Sequence, residues 1–169
     1  AHRIPIIASA CDHEAEDVEI SDEPDFVETY PAHCMRGTPG AAKVAETTVD
    51  WVLELREQRA SDEELDRLRS TEHPTALLHK KHFDVFTNPN ALALLEALAP
   101  ERVVVYGVAL DVCNRAAIEG MLDRGYSSIT ALTDATRPIR PDAAPELLAS
   151  WGERGVELKT TAELLAEIS

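Results

Sequence analysis

The sequence predicts an α/β fold of three layers, α-β-α, with a mostly parallel sheet. Two observations carry this reading. Short apolar runs rich in β-branched residues, too brief for helices, alternate with helical stretches of about 10 to 15 residues. Residues able to do chemistry also collect just after those runs, where parallel sheets place reactive groups. Three such strand ends stand out: Ser9 to His13, Lys80, and Gly107 to Cys113.

Taken in order, Ala1-His2-Arg3 reads as the tail of a helix, and Ile4 to Ala8 as a buried strand. From Cys11 to Gly40 the chain is acidic, rich in Pro and Gly and without periodicity, a long loop region of the kind that is often functional. Val44, Thr48, Trp51, Val52 and Leu55 stack on one face of a helix expected over 42–59. Ser61-Asp62-Glu63-Glu64 offers a capping box for a short helix that ends near Ser70, before the break at His73-Pro74. Thr75 to Lys80 is a strand, and Asn88-Pro89 opens a helix that runs to Leu98 before Pro100. Arg102 to Tyr106 is the clearest strand. A helix from about Cys113 to Arg124 follows it, stopped by Gly125. Ser127 to Thr133 is a strand. Pro138 and Pro141 delay the next helix to about Asp142, and it ends at Gly155. Val156 to Leu158 is a short strand, and Thr160 to Glu163 caps a last helix.

A chain of 169 residues, 44% hydrophobic and 28% charged, fits one soluble globular domain. Its net charge of −15 argues against nucleic acid and anionic membrane surfaces as partners. No apolar run approaches a membrane span. Three cysteines, Cys11, Cys34 and Cys113, are an odd number at wide spacing. They suggest thiols in a reducing compartment such as the cytoplasm.

Cys113 lies where a strand, a tight loop and a helix meet. The N–H groups and positive dipole end of that helix favour a thiolate and point where an oxyanion would sit. The position alone is equally compatible with a small buried cysteine. Lys80, ending a strand, reads by itself as a solvated rim residue.

Three segments together resemble the isochorismatase-like cysteine hydrolases, and within them the nicotinamidase branch. Gly107-Val108-Ala109-Leu110-Asp111-Val112-Cys113 is similar to the nucleophile motif of that family. Pro31 to Gly40 is similar to the His-Cys-x-x-Gly-Thr-x-Gly loop of nicotinamidases, and Lys80 to Phe86 to the segment that holds the family's lysine, with Lys80 rather than Lys81 at its position. Asp134-Ala135, after a strand, also fits. The resemblance implies ammonia release from a small carboxamide, most simply nicotinamide to nicotinic acid, through a thioester. It assigns Cys113 as nucleophile and Lys80 as charge stabiliser. Backbone N–H groups of Ala109 and Cys113 would form the oxyanion hole, beside a cis peptide at Val108–Ala109. It also implies a Rossmann-like sheet order 3-2-1-4-5-6, no organic cofactor and self-association into a homo-oligomer.

The resemblance further implies a divalent metal, often zinc, with His13 and His33 matching the two family histidines. Cys11 stands where the family has its metal-binding aspartate, and Asp12 where it has tryptophan. As loop residues, His13 and His33 could equally be ordinary exposed histidines. A second departure concerns the catalytic base. Nothing here matches the family's aspartate at the end of the first strand, and Asp12, Glu14 and Asp17 follow a different strand. The expectation is therefore a single hydrolase domain over 1–169 that lacks its first strand and helix. Roughly 30 to 45 residues of upstream segment, or a second chain, would supply them. A non-catalytic protein that kept the fold remains an alternative. So does a hydrolase acting on another small amide or an ether.

Overall fold

The computed structural model describes residues 4–168. The expected helix tail at Ala1-His2-Arg3 lies outside them. The chain forms two compact units, residues 1–99 and 100–169, each built on a three-stranded parallel sheet flanked by helices. The fold is thus α/β with parallel strands, as the alternation of runs predicts.

In the first unit the strands are β1 (Ile6–Cys11), β2 (Leu53–Leu55) and β3 (Thr75–Lys80), in the order β1-β3-β2. β1 starts two residues later than expected. Pro5 has no N–H to give, so the ladder begins when Ile6 N–H donates to Pro74 O at 2.8 Å. β3 is central and almost wholly buried. Helix α1 (Asp62–Ser70) opens on the expected capping box: Ser61 Oγ accepts from Glu64 N–H, and the Glu64 carboxylate accepts from Ser61 N–H at 2.8 Å. Helix α2 (Asn90–Leu98) ends at Ala99 in the left-handed region, φ 42°. Leu68 of α1 and Ala91 and Leu94 of α2 pack on Leu53, Leu55, Ala76 and Leu78 from the sheet, which forms the core of this unit.

The helix expected over 42–59 is absent. That stretch holds a short 3₁₀ turn, Ala45–Thr47, and then β2. Thr47, Thr48, Val49 and Val52 are β-branched and disfavour helix. The edge of β3 also offers better partners: Val52 N–H donates to Thr75 O at 3.0 Å, and Thr75 Oγ1 donates to Asp50 O at 2.7 Å. Leu53-Glu54-Leu55 then alternates buried, exposed, buried, as a half-buried strand does.

In the second unit β4 (Val103–Val108), β5 (Ile129–Arg137) and β6 (Glu157–Lys159) run in the order β4-β5-β6. Helices α3 (Arg115–Asp123), α4 (Ala144–Glu153) and α5 (Thr161–Ile168) accompany them. Ile118, Met121, Ile129, Ala131, Trp151, Val156 and Leu164 are buried. Thr160 and Glu163 cap α5 reciprocally, as its sequence predicts. Instead of the single six-stranded order, the described residues form two sheets. Their orders are β1-β3-β2 and β4-β5-β6, and β1 and β4 each pair on one side only. No helix among the described residues is long and apolar enough to cross a membrane.

Candidate functional site

In the first unit, Cys11 and Lys80 end neighbouring parallel strands and are directly paired in register. Side chains at paired positions emerge on the same face. Lys80 Nζ accordingly lies 3.2 Å from Cys11 Sγ and donates to His82 O at 2.9 Å. Lys80 is 4% exposed, so it is not a rim residue. Lys81 faces Glu14 and Asp17 instead, and hydrogen bonds to both carboxylates raise its pKa. The two adjacent lysines are thus divided between a half-buried sulfur and a surface ion-pair cluster.

Beyond β1 the chain continues extended, and Asp12 N–H donates to Lys80 O at 3.0 Å. His13 then docks on the 31–40 loop, donating its N–H to Cys34 O (3.1 Å) and accepting from Arg36 N–H (2.8 Å). Cys34 takes a left-handed conformation, φ 46°, to make that turn. The docking brings the rings of His13 and His33 to a centroid separation of 4.6 Å. Cys11, His13 and His33 each offer a donor atom, and these atoms all lie within 4.8 Å of one another.

His13 is fully buried, and neither ring nitrogen has a hydrogen bond. Asp17 Oδ2 is 3.5 Å from Nδ1 and Glu19 Oε2 is 4.0 Å from Nε2, close enough for Coulombic influence. Burial, and secondarily the neighbouring His33, hold the His13 pKa below its ordinary value despite Asp17. The ring is therefore neutral near pH 7, the form that ligates metal. His33 Nδ1 lies 2.8 Å from Pro31 O. With a proton on Nδ1 donated there, Nε2 is left as the acceptor. A buried imidazole without a hydrogen bond among the described residues, beside a second imidazole and a sulfur, fits a metal ion.

Asp12 does not belong to this cluster. Its buried carboxylate accepts from Arg36 Nε (3.0 Å) and Nη2 (2.7 Å) and pairs with Arg56. These groups and Lys80 border a cavity of about 170 Å³.

In the second unit, Cys113 lies at the carboxyl end of β4. It sits inside a π turn, Leu110–Asn114, and the regular helix begins only at Arg115. The turn is wide because Asn114 N–H reaches Ala109 O at 3.0 Å. Single π turns of this kind recur at functional sites. The Val108–Ala109 peptide bond is cis. Gly107 has φ 116°, a conformation suited to glycine, where the β4–β5 register shifts. Its carbonyl accepts from Thr136 Oγ1 (2.7 Å) and Asn114 Nδ2 (3.0 Å). Asp111 is 5% exposed and accepts from the N–H groups of Ile139 and Arg140, both at 2.8 Å. Asp111, Asn114 and Thr136 therefore brace the loop that carries Cys113. The sequence shows Asp111 within the motif but not this bracing, because its partners lie 28 and 29 residues away. Asp134 braces a different point, accepting from Thr161 N–H at 2.8 Å.

Residues 51–163 match the family model described as the isochorismatase domain. No curated protein matches the sequence significantly. Among solved structures, an isochorismatase-like hydrolase from Alkaliphilus metalliredigens is similar with a TM-score of 0.69 and 17% identity, over 96% of this chain and 72% of that one. N-carbamoylsarcosine amidase from Thermoplasma acidophilum is similar with a TM-score of 0.64 and 21% identity, over 93% and 72%. The pyrazinamidase of Pyrococcus horikoshii, solved in complex with zinc, is similar with a TM-score of 0.65 and 21% identity, over 92% and 74%. With the fold and two thirds of the sequence in agreement, the chain belongs to the isochorismatase family.

Proposed function

We propose that this protein is a cysteine amidohydrolase that releases ammonia from a small carboxamide, nicotinamide first among the candidates. The observation that carries the reading is Cys113, held at the end of β4 in a braced π turn just before α3. The solved amidase and pyrazinamidase relatives support the choice of a C–N bond.

In this reading the Cys113 thiolate attacks the carboxamide carbon, and the N–H groups of Ala109 and Cys113 bind the oxygen as it gains negative charge. The proton taken from the Cys113 thiol passes to the amide nitrogen, the C–N bond breaks and ammonia leaves. Water then attacks the thioester, releasing the carboxylic acid and restoring the thiol. Lys80 takes the role of the family's lysine and stabilises developing charge. His13 and His33 would hold a divalent metal, zinc by the chemistry of its donors, which when bound polarises or orients the substrate. The aspartate that deprotonates Cys113 has no match in the sequence.

The test is ammonia release by the natural protein, loaded with zinc, from nicotinamide and a panel of small amides. Turnover that falls to background in Cys113→Ala and by about 10²-fold or more in Lys80→Met supports the assignment. Absence of turnover on every amide overturns it. A non-catalytic binding role is the second reading, favoured by Cys11 standing at the family's aspartate position.

A further inference from the structure

We propose that Cys11 is a thiolate ligand of the metal held by His13 and His33, which makes this a site for a thiophilic cation such as zinc rather than magnesium or manganese. The proposal rests on the metal-binding part of the reading above and goes beyond it by fixing the third ligand and the class of metal.

Four observations converge. Cys11 and His13 are two residues apart on extended backbone, so their side chains share a face, and their donor atoms lie with that of His33 within 4.8 Å. His13 is fully buried with no hydrogen bond at either nitrogen, a costly arrangement unless something else binds there. His33 is oriented through Nδ1 by Pro31 O, as an outer partner orients a ligating histidine. Lys80 Nζ lies 3.2 Å from Cys11 Sγ and directs a donor at that sulfur.

Of the neighbouring carboxylates that could have served a hard cation, Asp12 is occupied by Arg36 and Arg56 and Asp17 by Lys81, and Glu19 accepts from Phe83 N–H through Oε1 and stands 4.0 Å from His13 Nε2 through Oε2. Magnesium and manganese prefer oxygen donors, whereas zinc readily takes one sulfur and two imidazoles. Three protein ligands also leave a fourth tetrahedral position for water or substrate, the pattern of catalytic rather than structural zinc.

The experiment is titration of the metal-stripped protein with cobalt(II) alone, followed by displacement with zinc. One equivalent of cobalt should produce a near-ultraviolet thiolate-to-cobalt charge-transfer band. That band should persist in Cys34→Ser and Cys113→Ser and disappear in Cys11→Asp, with zinc affinity falling by about ten-fold or more. X-ray absorption at the zinc edge of the unaltered protein, showing one sulfur at about 2.3 Å, tests the same point without a variant. Cobalt binding without the band, a band that survives Cys11→Asp, or a zinc edge without sulfur overturns the proposal and leaves a histidine-held metal standing. No cobalt or zinc binding at all overturns both. Ammonia release measured on the same preparations reports on Cys113 separately.

Discussion

Asp111, two positions before Cys113, shows how a buried carboxylate can hold the loop that carries a thiol. Burial alone would raise its pKa, but hydrogen bonds from the Ile139 and Arg140 N–H groups outweigh burial and leave it below the ordinary 3.8. The sign follows from linkage. The stabilisation is fully present above the unfolded value and is lost as pH falls through the lower folded value. Urea midpoints measured from pH 6 down to pH 3 should therefore fall more steeply for the natural protein than for Asp111→Asn. Identical slopes would show that the carboxylate contributes no charge-dependent stability. At the same scale, Trp151 is wholly buried and its indole N–H has no hydrogen-bond partner among the described residues. Trp151→Ala should cost about 3–5 kcal/mol in denaturant melts. Trp151→Phe, which forfeits no hydrogen bond, should cost clearly less. The residues of the candidate site were legible because a motif keeps them close in sequence, as with Ala109 and Cys113 or Cys11 and His13. What holds them was not. The Arg36–Asp12 pair spans 24 positions, and no local pattern announces such a partner.

Among the elements, the loop from Arg56 to Ala60 depends on two buried asparagines. Asn90 accepts from Ala60 N–H at 2.7 Å and donates to Arg56 O and Gln58 O, while Asn88 donates to Arg56 O and His79 O. Asn90→Ala would strand those backbone groups and should destabilise by about 2–3 kcal/mol. Ser61→Ala, which removes an exposed cap, should cost only about 1 kcal/mol. Equal losses in urea denaturation would contradict this ranking. Element type is readable wherever capping chemistry is local: α1 and α5 begin where their signals place them, and α2 begins one residue after Pro89, which serves as its N-cap. Over 42–59 apolar spacing suits a helix, but the edge of β3 recruits Leu53–Leu55 as a strand. The regular helix after β4 begins two residues beyond Cys113, because periodicity does not separate a π turn from the first turn of an α-helix.

For the whole chain, 31 acidic against 16 basic side chains leave more repulsion than ion pairing can absorb. Added sodium chloride should therefore raise the melting temperature by a few degrees as screening develops. A fall instead would mean that pairs such as Lys81 with Glu14 and Asp17 dominate. The sheet layout has a consequence in time as well. β3 and β5 are the strands hydrogen-bonded on both sides, while β1 and β4 are bonded on one. In deuterium exchange, amides of 75–80 and 129–132 should be the last to label in their respective units. Lys80 ends one of those two strands, so its backbone anchor should outlast the openings that free the loop carrying His33.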